Sequence, residues 1–202
     1  MKTLKFTALL FFVSFQLMAQ VSIAFKASGG SSFPVGPSDF KDNWKMGYNA
    51  GAGVIINLLG ILTVEGEADY NTFALDSDKM LKSIGFSNPG ISISGGNLTA
   101  LSFMANLKLY LIPKISPLTV YLFGGGGLTS MKADEVKVTY QGNTQSFPGT
   151  DNQNKVGIQV GAGAQFGIGS TAVFVEAKYV NVFTTDKNTS FAPIKAGLIF
   201  GL

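Results

Sequence analysis

The sequence predicts an all-β fold, an eight-stranded antiparallel up-and-down barrel. Three observations predict it. Beyond the first nineteen residues, eight strand-like stretches are joined by connections that run long, short, long, short, long, short, long. Within seven of those stretches apolar side chains alternate with small or polar ones, the period of a strand with two different faces. Finally, 46% of the chain is hydrophobic and only 13% is charged, with 25 glycines and 17 phenylalanines. Yet no later stretch approaches the roughly eighteen consecutive apolar residues that a membrane helix needs.

The elements follow in order. Lys2 and Lys5 precede an apolar run from Ala8 to Met18, broken only by Ser14 and Gln16, and Ala19 is a small residue suited to cleavage. Residues 1–19 are therefore expected to be a secretory signal peptide, leaving 20–202 as a single barrel domain. The first strand carries Val21, Ile23, Phe25 and Ala27 on one face, and the second carries Met46, Tyr48, Ala50, Ala52, Val54 and Ile56 opposite Gly47, Asn49, Gly51 and Gly53. In the third, Leu62, Val64, Gly66, Ala68 and Tyr70 alternate with Thr63, Glu65, Glu67, Asp69 and Asn71. The fourth sets Leu101, Phe103, Ala105, Leu107 and Leu109 against Ser102, Met104, Asn106 and Lys108. The fifth, Val120 to Leu128, cannot be phased, because Tyr121-Leu122-Phe123 is apolar on both faces and four glycines follow. Alternation resumes from Val156 to Phe166, from Val173 to Val180 and from Ile194 to Leu202.

The long connections are predicted at Gly29–Trp44, Thr72–Gly96, Ser130–Asn154 and Asn181–Ser190, and the short ones at Asn57–Gly60, Leu111–Pro117 and Gly167–Thr171. An even number of strands brings both chain ends to the short-turn side. In the second long connection Asp76 or Ser77 is placed to cap a helical turn carrying Met80, Leu81 and Ile84.

Missing residue types narrow the chemistry. Without cysteine there is no disulfide, thiolate nucleophile or Cys-type metal site; without histidine the usual general base and the commonest transition-metal ligand are lacking. Arginine is absent too, and with it the bidentate fork for phosphate. Removal of the leader takes the formal charge from +3 to near +1, with 13 lysines against 12 acids, which is no footprint for nucleic acid. Glu65 and Glu67 are two carboxylates on one face, as in a glycosidase, but at i and i+2 beside Lys108 they fit ion-paired filler better. Gly124–Gly127 and Gly161-Ala162-Gly163 lack the spacing and the following helix of a phosphate loop, so close strand packing explains them. Asp76-Ser77-Asp78 lacks the remainder of a calcium ligand set. No catalytic, metal or cofactor site is assigned, and no cofactor is expected.

Which face looks outward is settled by the polar one. It is mostly Gly, Ser, Asn and Gln with few charges, sparse for a solvated exterior and apt for a narrow interior. The apolar face therefore meets lipid. Tyr48, Tyr70 and Tyr179 fall on it at the long-loop ends, where amphipathic rings meet lipid headgroups, and Phe200 shares that face at the other end. By the same phase Lys26, Lys108, Lys178 and Lys195 point inward with Glu65, Glu67, Asp69 and Glu176, and such charges must pair there.

This combination of leader, eight alternating strands and alternately short and long turns resembles the small outer-membrane β-barrel family that includes OmpA- and OmpX-type proteins. The stretch Lys195-Ala196-Gly197-Leu198-Ile199-Phe200-Gly201-Leu202 is similar to the insertion signal read by barrel-assembly machinery, with Lys195, Gly197, Phe200 and Leu202 at the matching positions. It ends on Leu202 where bacterial members often end on an aromatic residue. Ile199, on the opposite face, is expected to tolerate a hydroxyl. With no segment resembling a peptidoglycan-binding domain, the OmpX-like, barrel-only form is the closer comparison. The resemblance implies a monomer in the outer membrane of a Gram-negative bacterium, with outer-membrane lipid, the assembly machinery and an unidentified extracellular partner of the loops as its contacts. The function expected is structural or adhesion-type, carried by surface loops with scattered Phe33, Phe40, Phe86 and Phe147; the alternative is a narrow channel or small-ligand carrier using the polar lumen.

Overall fold

A computed structural model describes residues 22–59, 61–83, 90–112, 117–184 and 187–201. The expected signal peptide (1–19), Val21, Ile84, Phe86 and Leu202 lie outside the described residues. Eight strands close into an antiparallel barrel: β1 (Ser22–Gly36), β2 (Gly47–Leu59), β3 (Leu62–Phe73), β5 (Leu98–Tyr110), β6 (Leu118–Ala133), β9 (Thr150–Ile168), β10 (Thr171–Val182) and β11 (Thr189–Phe200). Each barrel strand pairs with its neighbour in the chain, and β1 meets β11 with Phe25 opposite Phe200 to seal the ring. Closure leaves no barrel edge, so every backbone group can be satisfied without water.

The exterior is the apolar phase of each strand. Phe103 is 58% exposed, Val160 60% and Val175 56%, while their chain neighbours Ser102, Gln159 and Glu176 are buried. An apolar outside around a polar inside inverts the pattern of a water-soluble barrel and suits lipid. The fifth barrel strand is now phased. Leu118, Leu122 and Leu128 look outward, whereas Thr119, Tyr121, Phe123, Thr129 and Met131 look inward.

The barrel strands are longer than the sequence pattern predicts. Gly29 to Ser32 belong to β1, not to a loop: Ser32 is buried and donates to Asn71 Oδ1 at 2.5 Å, and the β1–β11 register runs as far as Gly36. Within that Gly/Ser composition Ser28, Gly30 and Ser32 form the inward-facing row of the strand, alternating with Gly29 and Ser31 on the outer face. Likewise β6 and β9 run to Ala133 and from Thr150.

The long connections carry structure of their own. Helix α1 (Ser38–Asn43) lowers Phe40 into the barrel mouth, and α2 (Ser77–Ser83) starts where predicted, with Asp76 Oδ1 accepting from the Lys79 amide at 3.4 Å. Three short strands, β4 (Ile91–Gly95), β7 (Val136–Tyr140) and β8 (Asn143–Phe147), form a separate sheet in the order β4-β7-β8 that sequence patterning did not anticipate. It prolongs the β5–β6 pair beyond the barrel rim through Gly95 and Gly96, whose φ values of 80° and 70° are conformations that favour glycine.

Candidate functional site

Two regions hold the residues singled out from the sequence: the lumen and the long-loop end. In the lumen, β1 supplies Lys26, β3 Glu65, Glu67 and Asp69, β5 Lys108, β10 Glu176 and Lys178, and β11 Lys195. All eight side chains are within 2% of full burial, and four ammonium groups face four carboxylates, a neutral set. Lys26 Nζ donates to Glu176 at 2.7 Å and to Glu65 and Glu67 at 3.0 Å. Lys108 sits 2.5 Å from Glu65 and 2.9 Å from Glu176. Lys178 donates to Glu67 at 2.8 Å and pairs with Asp69, while Lys195 pairs with Glu67 and reaches Asp69 at 3.1 Å. Each carboxylate thus bridges at least two lysines, so both the desolvation of the charges and their lone pairs are compensated locally.

Aromatic rings complete the cage, and sequence analysis missed them. Tyr121 donates to Glu176 Oε1 at 2.8 Å, and Lys108 Nζ lies 4.6 Å from the centre of the Tyr121 ring. Lys26 Nζ lies 4.8 Å from the Phe174 ring centre. Room for these rings comes from the glycines set aside as strand packing. Register places Tyr121 opposite Gly163 and Phe123 opposite Gly161, and a Cβ at either glycine would stand 2.6 Å from the ring. The signal was present in Tyr121-Leu122-Phe123 and Gly161-Ala162-Gly163, but only the register between strands reveals it.

Apolar clusters pack in the lumen above and below the charges. At the short-turn end Ala24, Ile55, Ala172, Phe174 and Ile199 pack together, and Tyr110, Tyr121 and Phe123 form a second buried cluster. The expectation that Ile199 would tolerate a hydroxyl is corrected here: it is fully buried in this layer, and a hydroxyl would find only hydrocarbon. At the long-loop end Phe40, Phe73, Phe191, Val180, Val182 and Met131 form the second layer, with Phe40 and Phe73 rings 5.1 Å apart edge to face. Glu65 and Glu67 therefore lie between two hydrocarbon layers, each held by lysines.

The predicted interfacial aromatics lie on the outer surface. Tyr48 (74% exposed), Tyr70 and Tyr179 project outward at the long-loop ends of β2, β3 and β10, and Phe200 does so at the short-turn end of β11. Lys195 points into the lumen, Gly197 lies against the backbone of β1, and Leu202 is outside the described residues. Asp76 faces Lys45 and Lys79, both at 3.7 Å, besides capping α2.

A closed antiparallel barrel with an apolar exterior and a packed, charge-neutral lumen is a membrane-spanning barrel of the outer-membrane type. The chain belongs to the outer membrane protein beta-barrel domain family, whose model matches residues 7–200, and its place is the outer membrane. No curated protein matches it. Among solved structures it is similar to Neisserial surface protein A at 13% identity, over 90% of this chain and 99% of that one, with a TM-score of 0.55. It is similar also to a major outer membrane protein from Thermus thermophilus at 12% identity, over 89% and 99%, with a TM-score of 0.54. At these identities the likeness is one of fold.

Proposed function

We propose that this protein is a non-catalytic outer-membrane barrel of structural or adhesion type, whose recognition surface is the long-loop end. The observation that carries the reading is a contrast between its two polar regions. The lumen's ionisable groups are spent on one another and lie beneath apolar layers, whereas the loops build an ordered, solvent-facing sheet outside the barrel. Eight strands leave an interior just wide enough for side chains, and here it is filled by them. The absence of histidine and cysteine from the whole chain supports the non-catalytic part. The partner is an extracellular molecule met by the loops, and the barrel is a monomer in lipid.

The test compares intact barrel with a variant in which residues 75–96 and 134–149 are replaced by short Gly-Ser links, both displayed on cells that lack the protein. Binding of those cells to arrays of immobilised extracellular proteins and glycans should fall to background in the variant while its barrel still folds. Undiminished binding would overturn the loop assignment.

A further inference from the structure

We infer that the loop assembly outside the barrel holds a binding site for a single hydrocarbon chain, in a cavity between α2 and the β4-β7-β8 sheet, and takes that chain from a free amphiphile in the surrounding medium. The site stands apart from the proposed recognition by the loops and does not depend on it, because it lies between two loop elements and not on their outer faces.

The cavity arises from the way α2 is fastened to the sheet. The Ser77 hydroxyl donates to the carbonyl of Ile93 at 3.0 Å, which fixes the first turn of the helix on β4. On the barrel side Leu75 is buried, so close to the strand that a Cβ at Gly96 would stand 2.8 Å from its Cδ2. Between these two fixings Met80 and Leu81 of α2 are set against Ile91 and Ile93 of β4, Val138 of β7 and Phe147 of β8, across a cavity of about 440 Å³. None of these side chains is buried, although all are apolar and share one space. Helix and sheet are thus partnered, but the core between them is unfilled.

The walls define the occupant. No polar atom faces the cavity, so a polar group entering it would lose its hydration and gain no hydrogen bond. Water is disfavoured for the same reason, since a space this large would hold roughly fifteen molecules at about 30 Å³ each, none with a polar partner on the wall. The volume falls in the range of small-molecule pockets, about 300 to 1,000 Å³. Its shape favours a chain over a compact ring. The lining crosses three neighbouring strands, about 10 Å at 4.8 Å between strands, and α2 runs a similar length across it. Met80, an unbranched thioether, adapts to a chain seated at different depths. Position decides the source. Leu101, the register partner of Tyr70 in the headgroup belt, lies within β5, whereas the cavity begins only beyond the rim, on β4. A free amphiphile reaches it from the medium, where an acyl chain anchored in the bilayer does not. The head group stays outside in water, so recognition follows hydrocarbon length and ignores head charge.

The probe is decanoate, titrated into the full chain folded in lipid nanodiscs with isotope-labelled methyl groups, its free concentration set by dialysis against empty nanodiscs. Saturable NMR shifts are expected at the methyls of Met80, Ile93 and Val138, with nuclear Overhauser contacts from them to the chain methylenes. Each methylene removed between decanoate and hexanoate should weaken binding about three- to fourfold. Decyltrimethylammonium, with the opposite charge, should match decanoate within about threefold. Val138→Phe fills the cavity from β7 and should weaken decanoate at least about tenfold. Ser92→Phe adds the same ring on the exposed opposite face of the sheet and should leave binding unchanged. The contacts measured in the unaltered chain keep the test decisive should Val138→Phe disturb the sheet. Shifts that rise without saturating, as expected of a space already filled, would overturn the inference. So would absence of contacts to Met80, a larger dependence on head charge, or equal binding to Val138→Phe.

Discussion

Glu67→Leu isolates the contribution of the lumen's charge balance. Glu67 holds Lys26 at 3.0 Å and Lys178 at 2.8 Å, pairs with Lys195, and accepts weakly from Gln159 at 3.4 Å. Its removal takes a neutral set of eight groups to +1 inside a medium that cannot solvate the excess. Lys178 is left with Asp69 alone, while Lys26 keeps Glu65 and Glu176, and Lys195 keeps Asp69. Stranding a buried partner costs about 3 to 5 kcal/mol, and the surviving carboxylates place this site near the lower end, at about 3 kcal/mol. That is roughly a hundredfold in the folding equilibrium. Urea unfolding in lipid vesicles, followed through the sole tryptophan, Trp44, packed on Phe40 at the barrel mouth, measures it. Asp151→Leu, at an exposed position of β9, should shift stability by less than about 0.5 kcal/mol. The double variant Glu67→Leu with Lys178→Met, which restores neutrality, should recover at least half of the loss. Equal effects of Glu67→Leu and Asp151→Leu, or no recovery in the double variant, would refute the account of the lumen.

Further expectations concern packing, lipid contact and assembly. Gly163→Ala drives a methyl against Tyr121 and should cost about 1 to 3 kcal/mol, whereas Gly66→Ala, with nothing within 4 Å of the new methyl, should be nearly silent in the same unfolding assay. Ile199→Ser should lower stability by about 2 to 4 kcal/mol in detergent, because it opens a void and strands a hydroxyl in the short-turn layer. Phe200→Asp puts a charge on the lipid face near an interface, costing no more than about 2 to 4 kcal/mol in isolated folding. In cells its yield in the outer-membrane fraction should fall much further than that cost implies; wild-type yield would remove the assembly role given to the chain end.

Strand number, membrane phase and the eight inward charges were legible because each depends on parity alone: Lys108 between Leu107 and Leu109, or Glu176 between Val175 and Ala177, fixes its face from the chain itself. The partners of those charges were not legible. Lys26 meets Glu176, 150 residues away, through closure of the barrel, and sequence spacing carries no record of stagger between strands. The aromatic cage was hidden for the same reason, since Tyr121 inward and Leu122 outward are both apolar, and only the glycine opposite Tyr121 shows which ring is housed. Loop structure was least legible. The helix start at Asp76 follows from a local cap, but β4 joins β7 across a separation that local patterning does not span, and Ser-Thr-Gly composition masks strands as readily as it marks turns.

The central claim is that the barrel is sealed and that its recognition surface lies outside it. Conductance across planar bilayers tests this directly, using the full chain inserted from vesicles and with insertion verified by protease cleavage of the exposed loops. The proposed function predicts no stable conductance steps above the protein-free baseline in potassium chloride, because the buried lysine–carboxylate cluster and the apolar clusters around Phe40 and Phe174 occupy the lumen. Reproducible ohmic steps from verified, folded barrels would contradict it and return the function to the lumen.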